Sequence, residues 1–312
     1  MNKNKINAIM ICLLLTIIYF MITASTKVIE SVSFSISIWK DNLFPTLFPF
    51  FVVSNLLLNY GFVDIIGNLL SRPMNKFYHL PGACGFVLAA SLVSGFPSGA
   101  KYTVDLVEKE IITVSQAERL LTFTHYSNPL FILGMIGNVL LNNQRIAFLI
   151  LIAHIISGLL VGLIFKSKNI ITNKNVTKST SSNKTFGELL TQSIVSSLNT
   201  MFLLLGIVTI FLIVSTIIKE IIKLPPITSV IISGLLEMTQ GVKLTVGLNI
   251  AEFIKVILIT SIISFGGLSV HAQVLGIISS KKIRYKYFLY ARIVHSILAI
   301  ILVSIMYLVF IN

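Results

Sequence analysis

Two interruptions of apolar sequence carry residues that could bind a small solute inside a membrane. The first is G-F-P-S-G (Gly95 to Gly99), in the middle of the apolar run from Cys84 to Tyr102. A break there would expose backbone N–H groups at the start of the next helix, the end that carries partial positive charge. With the hydroxyls of Ser94 and Ser98, this pattern predicts a site for a small carboxylate. A tight turn needed only for packing is the alternative.

The second interruption is E-M-T-Q-G (Glu237 to Gly241), which places an ionisable residue inside another apolar run. Ionisable groups at membrane depth usually face a cavity or a charged partner. Glu237 is therefore predicted either to carry a proton or bind a cation for ion coupling, or to pair with Lys243 at the membrane surface. Thr239 and Gln240 beside it are predicted to contact substrate.

A polar group follows each interruption at a matching place: T-H-Y-S-N-P (Thr124 to Pro129) and F-G-G-L-S-V-H-A-Q (Phe265 to Gln273). Freed backbone carbonyls and polar side chains can replace water around a ligand in the membrane. The substrate-binding residues predicted in these groups are Thr124, His125, Ser127, Asn128, Gly266, Ser269, His271 and Gln273.

The histidines give no sign of a metal site. His125 and His271 could titrate near neutrality, and a structural hydrogen bond is the alternative for each. Neither has cysteine or carboxylate neighbours at metal-ligand spacing. His154 and His295 each lie in a plain apolar run and are interpreted as packing residues.

The composition requires a membrane. Of 312 residues, 55% are hydrophobic and 11% charged, so too few charges remain to cover a surface in water. A spanning helix needs about 20 apolar residues, which allows roughly seven to nine spans in an all-α, polytopic bundle. The net charge of +13 would suggest nucleic acid in a soluble protein, but here the cations lie between apolar runs. They indicate orientation and contact with anionic lipid, and no nucleic-acid partner is expected.

The chain divides into four predicted parts. They are an N-terminal membrane anchor helix and loop (1–42), a first repeat (43–166), a flexible cytoplasmic linker rich in Lys, Ser, Asn and Thr (167–185), and a second repeat (186–312). The anchor runs from Ile6 to Thr23 and is predicted to stay uncleaved, a signal peptide being the alternative. Cys12 and Cys84 are predicted to be buried structural thiols.

Three further segments of the chain are predicted from their patterns. The stretch from Leu43 to Tyr60 is a span, and the mixed stretch from Val63 to Leu80 is an amphipathic segment in the interface. The charged stretch from Thr103 to Thr122 is predicted to be a helix in water or the interface, with a capping box made by Ser115 and Glu118.

The two interrupted regions align without gaps when each residue is matched to the one 142 positions later, as Gly99 is matched to Gly241. Lys101, Thr103 and Ser127 then match Lys243, Thr245 and Ser269. An apolar composition common to both halves does not by itself align Gly, Lys, Ser and Thr residues at a single spacing. The sequence therefore predicts an internal repeat, with one re-entrant helical hairpin in each half.

Three candidate spans lie between the hairpins, and an odd number makes the two repeats inverted. They are Phe123 to Leu141, Ile146 to Phe165, and Asn199 to Ile218. Placing the basic cluster Lys281 to Lys286 in the cytoplasm then requires the stretch from Thr245 to Ile263 to lie in the interface. Inverted repeats with paired broken helices are typical of secondary transporters, whose substrate sits between the repeats.

Enzymatic and ATP-driven functions find no support in the motifs. There is no Walker loop, Rossmann glycine fingerprint or zincin helix, and G-x-x-S-G differs from the hydrolase elbow G-x-S-x-G. We therefore expect no enzyme and no cofactor. Coupling to H⁺ or Na⁺ stays open, and so does assembly as a homo-oligomer.

Three motifs resemble a known family: L-F-P-F-F (Leu47 to Phe51), S-L-V-S-G-F-P-S-G-A-K (Ser91 to Lys101) and T-H-Y-S-N-P-L-F (Thr124 to Phe131). They resemble the YlbJ-type sporulation integral membrane proteins, which belong with the nucleoside-recognition or Gate domain proteins and are similar in architecture to concentrative nucleoside transporters. The resemblance extends from about Leu43 to the end of the chain. It implies a role in late sporulation, in moving dipicolinate across the outer forespore membrane.

Carried over by position, the resemblance places the substrate site at Ser94 to Ser98, Thr124 to Asn128, and the regions of Glu237 and Ser269. A nucleoside carrier of the same architecture is an alternative, for which Phe96 and Tyr126 are candidate stacking residues. A membrane scaffold of the spore envelope that transports nothing is another.

Overall fold

The computed structural model describes residues 3–166 and 185–311, and every regular element in this part of the chain is helical. The predicted linker 167–185 lies outside the described residues, apart from Thr185. The α-helices of the described part are α1 (Lys3–Thr23), α2 (Ser25–Ile38), α3 (Phe44–Asn59), α4 (Phe62–Pro73), α5 (Cys84–Ser94), α6 (Ser98–Glu108), α7 (Val114–Phe123), α8 (Gln144–Ile164), α9 (Phe186–Ile221), α10 (Pro226–Leu236), α11 (Met238–Val246), α12 (Glu252–Phe265), α13 (Gly267–Ile278) and α14 (Tyr285–Phe310). Wider π-helical turns occupy Trp39–Leu43, Met74–Tyr78 and Phe131–Leu140.

Four helical segments of the described chain are long and apolar enough to cross a membrane. They are Gln144–Ile164, Phe186–Ile221, Glu252–Lys281 and Tyr285–Phe310. The number rises to six if each of two bent helix pairs is one span, α1 with α2 and α3 with α4. The expected seven to nine spans exceed this count because three apolar helices, Cys84–Ser94, Phe131–Leu140 and Pro226–Leu236, are too short to cross. The chain is an all-α, multi-pass membrane protein.

Both interruptions break the helix, as their glycine, proline and glutamate content predicts. α5 ends at Ser94 and α6 begins at Ser98, and the two short helices pack against each other. α10 and α11 are separated by Glu237 and also pack together. Gly95 has a φ of +79°, which glycine adopts without the strain that a side chain would bring.

The order of elements repeats at the offset found in the sequence. Adding 142 to the residue numbers brings the pair α5 and α6 onto α10 and α11, α7 onto α12, and α8 onto α14. Each half thus contains a pair of short helices, a helix that ends at a break, and a long apolar helix. The opposite orientation of the two halves stays a prediction.

Four expectations about local structure were wrong. The stretch 103–122 is not one helix, since α6 ends at Glu108 and α7 begins at Val114. The capping box of α7 is formed by Thr113 and Gln116, not by Ser115 and Glu118. Residues 25–38, expected to be loop, form α2 because their apolar face packs on α9. Cys84 is buried as expected, but Cys12 is exposed.

The stretch expected to lie in the interface, 245–263, also differs from its prediction. Most of it forms α12, which packs against both α8 and α14. Together with α13 it makes the 30-residue segment Glu252–Lys281, which is apolar enough to span. Its length and composition favour a crossing with a break at Gly266 over the expected place in the interface.

Candidate functional site

A cavity of about 120 Å³ lies where the two interruptions meet, and we call it the central cavity. Residues from both halves of the chain line it. Those predicted from the sequence that do so are Ser94, Ser127, Asn128, Glu237, Thr239 and Gln273. The structure therefore brings polar residues at or beside both interruptions, and from both polar groups that follow them, to the lining of one cavity.

The other predicted substrate-binding residues do not line this cavity. They are Gly95, Ser98, Gly99, Thr124, His125, Gln240, Gly266, Ser269 and His271. Several have structural contacts instead: the Ser98 hydroxyl donates to the Gly95 carbonyl at 2.6 Å, and His271 lies within 2.6 Å of the Tyr285 hydroxyl. Their contact with a substrate stays a prediction.

Glu237 combines a structural and a chemical role. Its side chain is 2% exposed and caps α11, accepting a hydrogen bond from the Gln240 N–H at 2.9 Å and another from the Thr239 hydroxyl. A carboxylate at a helix N-terminus is stabilised by the partial positive charge there. The alternative pairing with Lys243 is not seen, because the Lys243 ammonium lies 4.3 Å from the centre of the Phe34 ring.

The central cavity is lined by two carboxylates in different surroundings. Glu237 is buried, whereas Asp41, from the π-helical turn between α2 and α3, is 54% exposed and lies 3.8 Å from the Lys40 ammonium; no lysine or arginine is among the lining residues in the described chain. The sequence reasoning missed Asp41 because that turn lies outside both interruptions and reaches the cavity only through the tertiary fold. The buried carboxylate of Glu237 favours a cation, a proton or a hydroxyl donor.

Ser127 and Asn128 present different groups to the cavity. The Asn128 side chain is used by the fold: its amide nitrogen donates to the Ser94 carbonyl at 3.1 Å, and its oxygen accepts from the Leu130 N–H at 2.7 Å. The Ser127 hydroxyl is buried and has no hydrogen-bond partner in the described chain. An unpaired buried hydroxyl costs free energy until a ligand or water pairs with it, so Ser127 is available to bind solute.

A buried arginine holds the segment that carries Ser127. Arg292, on α14, is fully buried and donates to the carbonyls of Thr122 and His125, each at 2.7 Å. Those carbonyls lie at the end of α7, where the helix leaves them without intrahelical partners. Arg292 thereby replaces backbone hydrogen bonds that the break removes.

Two histidines extend this network. His154 and His295 are fully buried, in line with their interpretation as packing residues, and they also form hydrogen bonds. His154 accepts a hydrogen bond from the Ser127 N–H at 2.9 Å through Nε2, and its Nδ1 lies 2.9 Å from the Ser264 hydroxyl. His295 lies between the Arg292 guanidinium and the His154 carbonyl, at 2.9 and 2.8 Å. An arginine within an apolar helix is the signal that could have revealed the network, because such a residue needs internal partners.

Gly99 is a close contact between α6 and this segment. A Cβ at position 99 would overlap the Thr124 carbonyl oxygen, whereas one at Gly134 would have no atom within 4 Å. We expect Gly99→Ala to destabilise the protein by about 1–3 kcal/mol, since backbone cannot move aside as a flexible side chain can. The measurement is the melting temperature in detergent, with Gly134→Ala as the matched control. Equal melting temperatures for the two variants would show that the contact is not tight.

An ion pair joins the halves at one end of the molecule. The Arg284 guanidinium donates to both Glu118 carboxylate oxygens at 2.7 Å, and the Arg284 backbone N–H donates to one of them at 3.0 Å. Burial raises the pKa of Glu118, but the hydrogen bonds and charge of Arg284 outweigh it, so the pKa lies below its ordinary value. Part of the basic cluster is thus paired within the chain.

This ion pair predicts an acid-sensitive contribution to stability. A carboxyl whose pKa is lowered in the folded state stabilises it above the unfolded pKa, and the contribution is lost as pH falls through the folded value. We expect Glu118→Gln to melt below wild type at pH 7 and the gap to close under acidic conditions below pH 4.5, the ordinary value for this carboxyl. Melting curves across pH check this. A gap that persists at the lowest pH would contradict the assignment.

Comparison with known proteins agrees with this architecture. Residues 42–168 match the Gate family, described as nucleoside recognition. Most of the first half of the chain is therefore similar to the Gate family.

The full chain is 31% identical to the sporulation integral membrane protein YlbJ of Bacillus subtilis (strain 168), over 98% of this chain and 84% of that protein. The chain belongs to the YlbJ family of sporulation integral membrane proteins, which confirms the resemblance seen in its motifs. No solved structure matches it.

Proposed function

We propose that this protein is a secondary transporter that moves a small anionic metabolite, dipicolinate, across the outer forespore membrane. The observation that supports transport is the central cavity, which joins Ser94 of one interruption to Glu237 of the other. Transporters built from paired broken helices hold their substrate at such a junction. Membership of a family of sporulation integral membrane proteins supports a place in a membrane and a role in sporulation, and the resemblance of the motifs is the ground for proposing dipicolinate.

The buried Glu237 adds a condition to this proposal. A dicarboxylate brought next to the buried carboxylate of Glu237 would be repelled unless positive charge came with it, whereas Asp41 is exposed and already paired with Lys40. We therefore propose that Glu237 takes up a proton or a Na⁺ ion during transport. Hydrogen bonds from the Ser127 hydroxyl and the Gln273 amide would then hold the substrate carboxylates.

A nucleoside is the second candidate, and two observations favour it. Phe96 and Phe131 line the central cavity and offer ring faces, whereas Tyr126 does not line it and packs against the His154 ring at 5.7 Å. Glu237 can accept hydrogen bonds from sugar hydroxyls without a neutralising cation. This candidate fits the description of the Gate family.

Uptake into proteoliposomes tests the proposal. Purified protein is reconstituted, and entry of labelled dipicolinate, uridine and adenosine is measured under an imposed pH gradient, an imposed Na⁺ gradient, or neither. We expect dipicolinate uptake above that of protein-free liposomes, increased by one of the gradients and blocked by unlabelled dipicolinate. Uptake of nucleosides alone would replace dipicolinate with the second candidate. No uptake by protein that remains monodisperse after extraction would refute transport of these substrates.

A further inference from the structure

Two more polar cavities flank the central one, and all three lie along α9. The first vestibule, about 190 Å³, is lined by Asn55 of α3, Asp105 of α6 and Ser196 of α9. The second vestibule, about 390 Å³, is lined by Phe34 of α2 and Lys243 of α11, together with the last turns of α9. Because α9 has 36 residues and is about 54 Å long, it passes from one side of a bilayer to the other.

The central cavity is nearer to the second vestibule. Along α9, Ser196 lines the first vestibule, Leu204 and Val208 line the central cavity, and Leu212 lines the second vestibule. At a rise of about 1.5 Å per residue, Ser196 and Leu204 are about 12 Å apart along the axis, and Val208 and Leu212 about 6 Å. On α11 the two cavities are lined by consecutive residues: Thr239 lines the central cavity and Gln240 lines the second vestibule.

Lys101 fills the longer gap. Its side chain is 7% exposed, and its ammonium donates to the Asn55 side-chain oxygen at 3.2 Å and the Ser196 hydroxyl at 3.3 Å. It also lies 5.5 Å from the centre of the fully buried Phe51 ring. One residue of the first hairpin thus ties α6 to α3 and α9 between the first vestibule and the central cavity.

The matching lysine of the second half is in a different state. Lys243, 142 positions after Lys101, is exposed, lines the second vestibule and rests on the Phe34 ring. Both hydrogen-bond partners of Lys101 are neutral, and the opposite charges that act on it are those of Asp105 and Glu108, further along α6 and lining the first vestibule.

We propose that Lys101 is a gate, which in this conformation closes the central cavity toward the first vestibule and leaves the second vestibule as the entrance. This rests on the proposed transport function and names its path, along α9. Lys281 pairs with Glu108 of the first vestibule at 3.1 Å, so the basic cluster lies at that end of the molecule. The positive-inside rule then places the gated end in the cytoplasm.

Cysteine labelling tests the gate without any substrate, so its failure is distinguishable from failure of the proposed function. In a background of Cys12→Ser and Cys84→Ser, Val208→Cys places one thiol in the central cavity. Proteoliposomes of a single orientation are treated with a membrane-impermeant methanethiosulfonate from either side. Ser193→Cys and Thr216→Cys, in the first vestibule and the second vestibule, report which side each vestibule faces.

We expect Val208→Cys to react about tenfold faster from the side that labels Thr216→Cys. The reason is that most molecules would be open toward the second vestibule and only a minor population toward the first. Adding Lys101→Ala should raise its labelling from the Ser193→Cys side by about the same factor, and Asn55→Ala, which leaves the lysine in place, should do likewise. Lys109→Ala is the matched control, because Lys109 lines the same vestibule but bonds to Asn59. Equal labelling from both sides, or no response to Lys101→Ala and Asn55→Ala in folded protein, would overturn the gate.

Discussion

Arg292→Leu will destabilise the folded protein by about 3 kcal/mol, because it strips hydrogen bonds from several buried acceptors at once. The carbonyls of Thr122 and His125 lose their donors, and His295 loses its contact with the guanidinium. Bulk water cannot replace the lost donors, since Arg292 is fully buried.

Arg292→Lys separates the charge from the geometry of the bonds. A lysine keeps the positive charge but cannot place two parallel donors as the planar guanidinium does. We expect it to recover only a minor part of the lost stability. Because Ser127 is fixed by the same network through His154, the surviving folded fraction of either variant should also show weaker substrate uptake.

Thermal melts in detergent measure this effect, with Arg145→Leu as the matched control. Arg145 lies in the first turn of α8 and is exposed, so its loss removes a charge without opening a buried network. A melting temperature of Arg292→Leu equal to that of Arg145→Leu would show that the network does not hold the break.

Glu237→Gln will abolish or strongly reduce uptake while leaving the amount of folded protein unchanged. A glutamine has nearly the same shape and keeps an oxygen that can accept from the Gln240 N–H, so the cap of α11 survives. What it loses is the charge that the proposed proton or cation would neutralise. We expect uptake to fall at least about tenfold, the effect of losing one charge-assisted contact of roughly 1.5 kcal/mol.

Spores provide a second readout for the same variant. A transporter predicts that cells carrying Glu237→Gln or Ser98→Ala make spores poor in dipicolinate at an unchanged protein level. Glu252→Gln is the matched control, since Glu252 is exposed at the start of α12, away from the central cavity. Normal dipicolinate in spores of both variants, with full uptake by Glu237→Gln in liposomes, would favour the scaffold alternative.

The parts of the site that could be predicted are the two helix breaks, because the residue types there are unfavourable within an apolar helix. Gly95, Pro97 and Glu237 interrupt apolar runs, and the structure ends helices at each place. Polar groups freed where a chain breaks within a membrane have to be sheltered by protein, and Ser94 and Glu237, beside the first break and at the second, do line one cavity.

The parts that could not be predicted depend on pairs far apart in the chain. Charged residues such as Glu118 led us to expect the stretch from Thr103 to Thr122 in water or the interface, but Glu118 is only 4% exposed because Arg284, 166 residues away, neutralises it. Arg292 likewise contacts backbone carbonyls 167 and 170 residues away. Because every residue has a backbone carbonyl, the residue types do not show which carbonyls the arginine will contact. The local sequence pattern predicts where a helix breaks, but only the tertiary fold shows which distant residues form hydrogen bonds there.

The most direct test of the central claim is to block the central cavity and measure uptake. Ser127→Cys, in the background without Cys12 and Cys84, keeps the size of the side chain and should retain transport. Modifying the introduced thiol with a methanethiosulfonate is predicted to stop uptake of labelled substrate, while the same treatment of Gly134→Cys, at a position with no neighbouring atom within 4 Å, leaves uptake unchanged. Undiminished uptake by Ser127→Cys protein whose thiol is fully modified would contradict the claim that solute passes through this cavity.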